Sequence, residues 1–225
     1  MEHMMMESNV PMVFGMMFEV FLMMAAGVFY ILCAAYVWKP MRQEKNELIG
    51  ALFVFLIYQA ISMFFMGLEM HTMNMVYSNI AGLAVFVGSA YMLKFPLSSL
   101  SERTRKTVFR VVLMMVVALF IWFIKTKERE IQLMHFTLWY DLVVNGLIVG
   151  GFIIFKAIGI ANRWQKIKAL GGGSGVVTCC VIANGAMITG AMITSSIFGF
   201  LAPVIIISTL MYARKKQREA PSATI

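Results

Sequence analysis

Residues 176–212 read VVTCCVIANGAMITGAMITSSIFGFLAPVIIISTLMY, a run of 37 residues without a single Asp, Glu, Lys or Arg. A helix needs about 20 apolar residues to cross a hydrocarbon core of roughly 30 Å, with a practical minimum near 17. The run is therefore too long for one pass and just long enough for two. Thr194-Ser195-Ser196 is the best turn between them, because its hydroxyls carry weak turn propensity, and segments at about 175–193 and 196–213 result. A broken or re-entrant segment is the competing reading, and Gly185, Gly190 and Gly199 would permit it. Two full passes make the total odd, which puts the two termini on opposite faces of the membrane.

Five further apolar segments precede this run, at about 14–38, 48–68, 74–95, 108–124 and 136–160, and polar or charged loops separate them. Of the 225 residues 60% are hydrophobic and 13% charged, and the mean hydropathy is +0.81. A soluble domain carries about 25% charged residues. The deficit, concentrated in long uncharged runs, excludes a soluble globular enzyme, a disordered chain and a nucleic-acid-binding module. No nucleic-acid partner is expected, although the net charge is +8. The expected fold is all-α: a polytopic membrane protein whose residues 1–213 form one seven-transmembrane-helix bundle, followed by a short basic tail at 214–225. Its first partner is the lipid bilayer.

Orientation follows from Lys and Arg, which collect in cytoplasmic loops. Lys39, Arg42 and Lys45 follow the first segment, and Lys94, Arg103, Arg105, Lys106 and Arg110 follow the third. Lys156, Arg163, Lys166 and Lys168 mark the end of the fifth, and Arg214, Lys215, Lys216 and Arg218 follow the seventh. Sixteen of the 19 basic residues thus fall on one side. The other side has Lys125, Lys127 and Arg129, offset by Glu128 and Glu130. The amino terminus is expected outside and the carboxyl terminus in the cytoplasm of a plasma or cytoplasmic membrane. The start of the chain lacks a basic signal-peptide region, and its Glu2 and Glu7 are acidic, so a retained first helix is expected. Gly171-Gly172-Gly173-Ser174-Gly175 has no following Lys-Ser or Lys-Thr and is not a phosphate loop; a flexible hinge between the fifth and sixth helices is expected there. Cys33, Cys179 and Cys180 are expected as buried free thiols.

Polar side chains inside membrane segments are the default pointers to function, because hydrocarbon does not solvate them. Here they cluster toward the outer side. Glu19 lies near the outer end of helix 1, Asn74 and Ser78 open helix 3, and Asp141 and Asn145 open helix 5. Asp141 and Asn145 are four apart and share a helix face, as do Asn74 and Ser78. Glu19, Asn74, Asp141 and Asn145 are therefore expected to face one outward-open pocket for a small polar ligand or cation, with Asp141 supplying the charge. Methionine is abundant at 22 residues, and Met70-His71-Thr72-Met73 places thioethers beside an imidazole. That donor set suits Cu(I), so Met70, His71 and Met73 form a candidate metal site. No other cofactor is expected.

No metalloprotease, Ser-His-Asp, Walker or Cys-x-x-Cys pattern occurs, and without a nucleophile-and-base grouping no catalysis is expected. Seven helices with the amino terminus outside resemble the opsin and receptor architecture in topology. A retinal pigment would need a Lys in the middle of the last helix, and residues 196–213 contain none. Three readings from different classes follow. The first is a receptor- or sensor-like protein that acts through a separate membrane or cytoplasmic partner or a second copy of itself. The second is a small-molecule or ion transporter or channel. The third is a non-catalytic subunit of a larger membrane complex.

Overall fold

The computed structural model describes residues 12–13, 16–44, 46–125 and 136–219, of which about 90% are helical. A minimal hairpin of β1 (Met12–Val13) and β2 (Met16–Met17) leads into the first helix. The helices are α1 (Phe18–Glu44), α2 (Glu47–Thr72), α3 (Met75–Met92), the one-turn α4 (Lys94–Leu97), α5 (Glu102–Lys125), α6 (Phe136–Ile158), α7 (Arg163–Ile188) and α8 (Met192–Glu219). Among the described residues six are long and apolar enough to cross a membrane: α1, α2, α3 with its extension to Leu97, α6, α7 and α8. Their outward side chains, Val28, Ile31, Leu147, Phe155 and Met211 among them, are exposed. A surface of that kind aggregates in water and is the ordinary exterior in lipid. The chain is a multi-pass membrane protein.

Asparagine starts three of the helices. Asn46 Oδ1 accepts from Leu48 N, Asn74 Oδ1 from Val76 N, and Asn162 Oδ1 from both Trp164 N and Gln165 N. Each bond satisfies backbone donors that a helix start leaves free. The α2–α3 and α7–α8 turns close tightly as well. Met73 closes α2 in the left-handed region at φ 54° and donates its N–H to Glu69 O, and Asn74 then caps α3 at once. Between α7 and α8 only Thr189–Ala191 intervene. Gly190 adopts φ 79°, Gly190 N donates to Met187 O and Ala191 N to Ala186 O, which is the paired closure of a Schellman motif.

This turn corrects the expected one at Thr194-Ser195-Ser196. Those residues lie in the first turns of α8, where Ser195 and Ser196 are buried. Gly190 reaches a left-handed backbone without a Cβ penalty, which outweighs the weak turn propensity of hydroxyls. The expected hinge at Gly171–Gly175 is corrected as well. These residues are helical within α7, which begins at Arg163 rather than near 175. They are not slack, because their missing side chains let helices touch. A β-carbon on Gly171 would overlap Thr209, and one on Gly175 would overlap Ile206. On α6 a β-carbon on Gly146 would overlap Val181, and one on Gly150 would lie 2.8 Å from Val177 Cγ2. Both pairs have the four-residue spacing that brings transmembrane helices together.

The centre of the bundle is apolar, with Tyr30, Cys33, Phe55, Leu56, Met92, Val149, Val176 and Ile206 all buried to 1% exposure or less. All three cysteines are buried and free. Two stretches depart from α geometry: Asp141–Gly150 of α6 and Thr178–Ala183 of α7 are π-helical. They lie side by side, at the place where the polar residues gather.

Candidate functional site

Asp141 is the one buried acid among the described residues, at 3% exposure. It opens the π-helical stretch of α6. One helical turn on, the fully buried Asn145 donates through Nδ2 to Asp141 Oδ1 and, at 2.6 Å, to Ser89 Oγ of α3. Ser89 has a single hydroxyl proton and two acceptors in range, Val85 O at 2.7 Å and Asp141 Oδ1 at 3.5 Å. The shorter bond takes it, which leaves Ser89 Oγ free to accept from Asn145. From α7, Asn184 Nδ2 donates to Asp141 Oδ2 at 2.8 Å. Each carboxylate oxygen therefore accepts an amide N–H, and α3, α6 and α7 are tied together through one acid. An unpaired carboxylate in hydrocarbon would cost far more than a helix can supply. Here amide dipoles stand in for water.

A cavity of about 40 Å³ lies against this cluster. Its lining runs from Glu69 and Ser78, near the α2–α3 turn, past Ser62, Met66 and Thr137 to Gln59, Asp141 and Asn184. The volume holds a few water-sized groups. Gln59 is 2% exposed, and its Nε2 has no partner; Asn145 Oδ1 is likewise buried without one. Buried polar atoms left unpaired cost about 1–3 kcal/mol each, so a bound polar species would stabilise the site. Gln59 sits halfway along α2, and the cavity thus reaches the middle of the bundle. Beyond it, toward the end carrying Lys94 and Arg105, the interior is closed by Phe55, Leu56, Met92, Val149 and Val176. That end is basic and knitted by polar contacts: Arg105 pairs with Glu47 at 3.1 Å, Lys168 Nζ donates to Gln217 at 3.0 Å, and Arg214 stacks 5.4 Å from the Tyr36 ring.

The structure brings two of the four expected ligand residues together, Asp141 and Asn145. Asn74 is exposed and occupied as the α3 cap; its neighbour one turn on, Ser78, lines the cavity instead. Glu19 lies in the first turn of α1, half-buried with an unpartnered Oε2, and is not part of the cavity wall. The expectation that all four share one pocket is corrected accordingly: a short polar residue at a helix start is taken up by capping, and α1 does not reach the cavity. Of the candidate copper ligands, Met70 is half-buried on the last turns of α2, His71 is exposed, and Met73 is 80% exposed where the chain leaves the helix. The described residues hold no cluster of three or more His, Cys, Asp or Glu suited to a metal. His3, Met4, Met5, Met6 and His135 lie outside the described residues.

Gln59, Ser89 and Asn184 were missed in the sequence. Each is an uncharged polar residue deep within an apolar run, and scanning for amides and hydroxyls as well as acids would have found them. No protein-family model, curated protein or solved structure matches the chain.

Proposed function

We propose that this chain is a non-enzymatic, receptor- or sensor-like membrane protein that binds a small polar ligand or hydrated cation at Asp141. The observation that carries this reading is a buried carboxylate with both oxygens held by amides, beside a cavity into which Gln59 presents an unpartnered donor. A cation or amine suits Asp141, and a water or hydroxyl oxygen that accompanies it suits Gln59. The cavity is walled off on one side by the buried apolar cluster, which favours binding and signalling over passage through the bundle. In this reading α5 is a seventh pass. Its Val111, Met114, Met115 and Ile121 are apolar and exposed, and it packs on α3 through Phe86, Val116 and Phe120. The basic end is then cytoplasmic by the Lys and Arg rule, and the cavity faces outside. The signal passes to a separate partner or to a second copy.

The test is the melting temperature of the purified protein in detergent. Sodium chloride is titrated against choline chloride at constant ionic strength, and methylammonium chloride is titrated separately. A saturable rise with one probe is expected for the wild type and is lost in Asp141→Asn and reduced in Gln59→Leu. No saturable shift with any probe, or an unchanged shift in Asp141→Asn, overturns the reading. Accumulation of the stabilising probe inside proteoliposomes would replace it with transport.

A further inference from the structure

A second cleft, of about 190 Å³, opens at the basic end between the start of α2, the α3–α4 junction and the start of α5. It is lined by Glu47, Lys94, Arg105, Lys106, Phe109 and Arg110. Four cations and one anion converge there, and the acids are already committed: Glu47 to Arg105, and Glu102, just outside the cleft, to Lys106. Lys94 and Arg110 have no acidic partner among the described residues. Lys94 Nζ is instead held over two aromatic rings, 5.2 Å from the Tyr91 centroid and 4.7 Å from that of Phe109, a placement that fixes the ammonium without neutralising it. The cleft is thus lined by an excess of positive groups, of which Lys94 is held by aromatic rings and Arg105 by Glu47.

We infer that this cleft binds the phosphate of an anionic lipid headgroup. Its place at the foot of an exposed apolar helix face argues for a lipid as the source. Arg110 is the last charged residue before the apolar length of α5, and the residues that follow it, Val111, Met114, Met115 and Val117, are exposed along that helix. A lipid whose headgroup met Lys94 and Arg110 could lay its acyl chains along this face. Arg105, oriented by Glu47, completes the wall with a planar guanidinium, the group best matched to phosphate oxygens. Basic pockets between membrane helices take headgroups by this chemistry. The inference is independent of the Asp141 site, which lies on the other side of the apolar core.

The experiment compares lipid binding by the purified full chain in nanodiscs, with phosphatidylglycerol competing against phosphatidylcholine. The wild type is expected to enrich phosphatidylglycerol, and Lys94→Gln/Arg110→Gln to lose about tenfold in that preference. Lys39→Gln/Arg42→Gln removes the same charge from exposed positions at the same end and is expected to lose less than about twofold. Arg110→Lys, which keeps the charge without the fork, should fall between. An equal loss in the two double variants would mean diffuse attraction to the bilayer and would overturn the site. Competition by millimolar inorganic phosphate as strong as that by phosphatidylglycerol would overturn the lipid as its ligand. Unchanged melting temperatures in both double variants separate a lost site from a lost fold.

Discussion

Glycines serve both sides of the bundle, and they do so differently. Between α1 and α2, a β-carbon on Gly27 would lie 3.0 Å from the Phe64 ring and one on Gly67 would lie 3.2 Å from Met24 Cγ, so the approach there is tight but milder. Between α6, α7 and α8, Gly146, Gly171 and Gly175 meet the branched side chains of Val181, Thr209 and Ile206, whose stiff χ1 angles and short reach leave nothing to move. The first side is regular α-helix, whereas the second carries both π-helical stretches. Of these close approaches, that of Gly146 to Val181 lies beside Asp141, Asn145 and Asn184, so close packing and helix widening coincide at the polar cluster. π-helical turns concentrate at functional sites, and here they coincide with the buried acid.

The contrast breaks most visibly at the glycines. Gly175→Val or Gly171→Val should cost about 1–3 kcal/mol or more, since overpacking there has no outlet, and folded yield in detergent should drop sharply. Gly67→Ala on the other side should cost less than about 1 kcal/mol, because Met24 can turn aside. Gly172→Ala, with nothing within 4 Å of the new methyl, should be neutral or stabilising by up to about 1 kcal/mol from helix propensity. Denaturation midpoints would check all four, and a Gly175→Val protein as stable as wild type would end the argument from close approach.

A smaller effect sharpens the polar half of the comparison. Asp141→Asn turns an amide N–H toward one of the two amide donors and should cost about 1–3 kcal/mol. Asp141→Asn/Asn184→Asp restores one acid facing one amide and should recover part of that loss. If the double variant is no more stable than the single, amide–carboxylate pairing is not what joins α6 to α7.

Two minor effects lie at the ends of the bundle. Met73→Gly removes the left-handed strain at φ 54° and should stabilise by about 1 kcal/mol, read from the same midpoints. At the basic end, the hydrogen bond and charge of Lys106 hold the Glu102 carboxyl below its ordinary value. A lowered acid favours the folded state above the unfolded pKa of about 4.3, and its contribution fades as pH falls through the folded value. Lys106→Gln should return the Glu102 pKa upward in an NMR titration with little change in stability, as exposed pairs contribute little.

The membrane character and the apolar segments were legible because composition and run length report them directly. Segment ends were less so. Helices continue past the hydrocarbon core as long as a cap allows, so α1 runs to Glu44 through Pro40 and α7 starts at the Asn162 cap. The glycine run was misread because glycine lowers helix propensity locally, while packing against Thr209 and Ile206 decides the outcome. At the site, Asp141 and Asn145 were visible as an intramembrane pair. Ser89 and Asn184 could not be matched to them, because they lie on other helices and the faces that α3 and α7 turn toward α6 are set by tertiary packing, which hydrophobic period does not report.

The three-residue connection at Gly190 bears on how the chain enters a membrane at all. Of the six candidate spans α7 is the least apolar, and its glycine face offers lipid little to hold. Joined so tightly to the more apolar α8, it need not partition alone. The two should insert as one helical hairpin, the glycines of α7 already covered by Thr209 and Ile206 before the pair meets the other helices. Lengthening that connection with a flexible insert should then lower the yield of inserted protein, even though the insert touches neither the acid nor any helix contact.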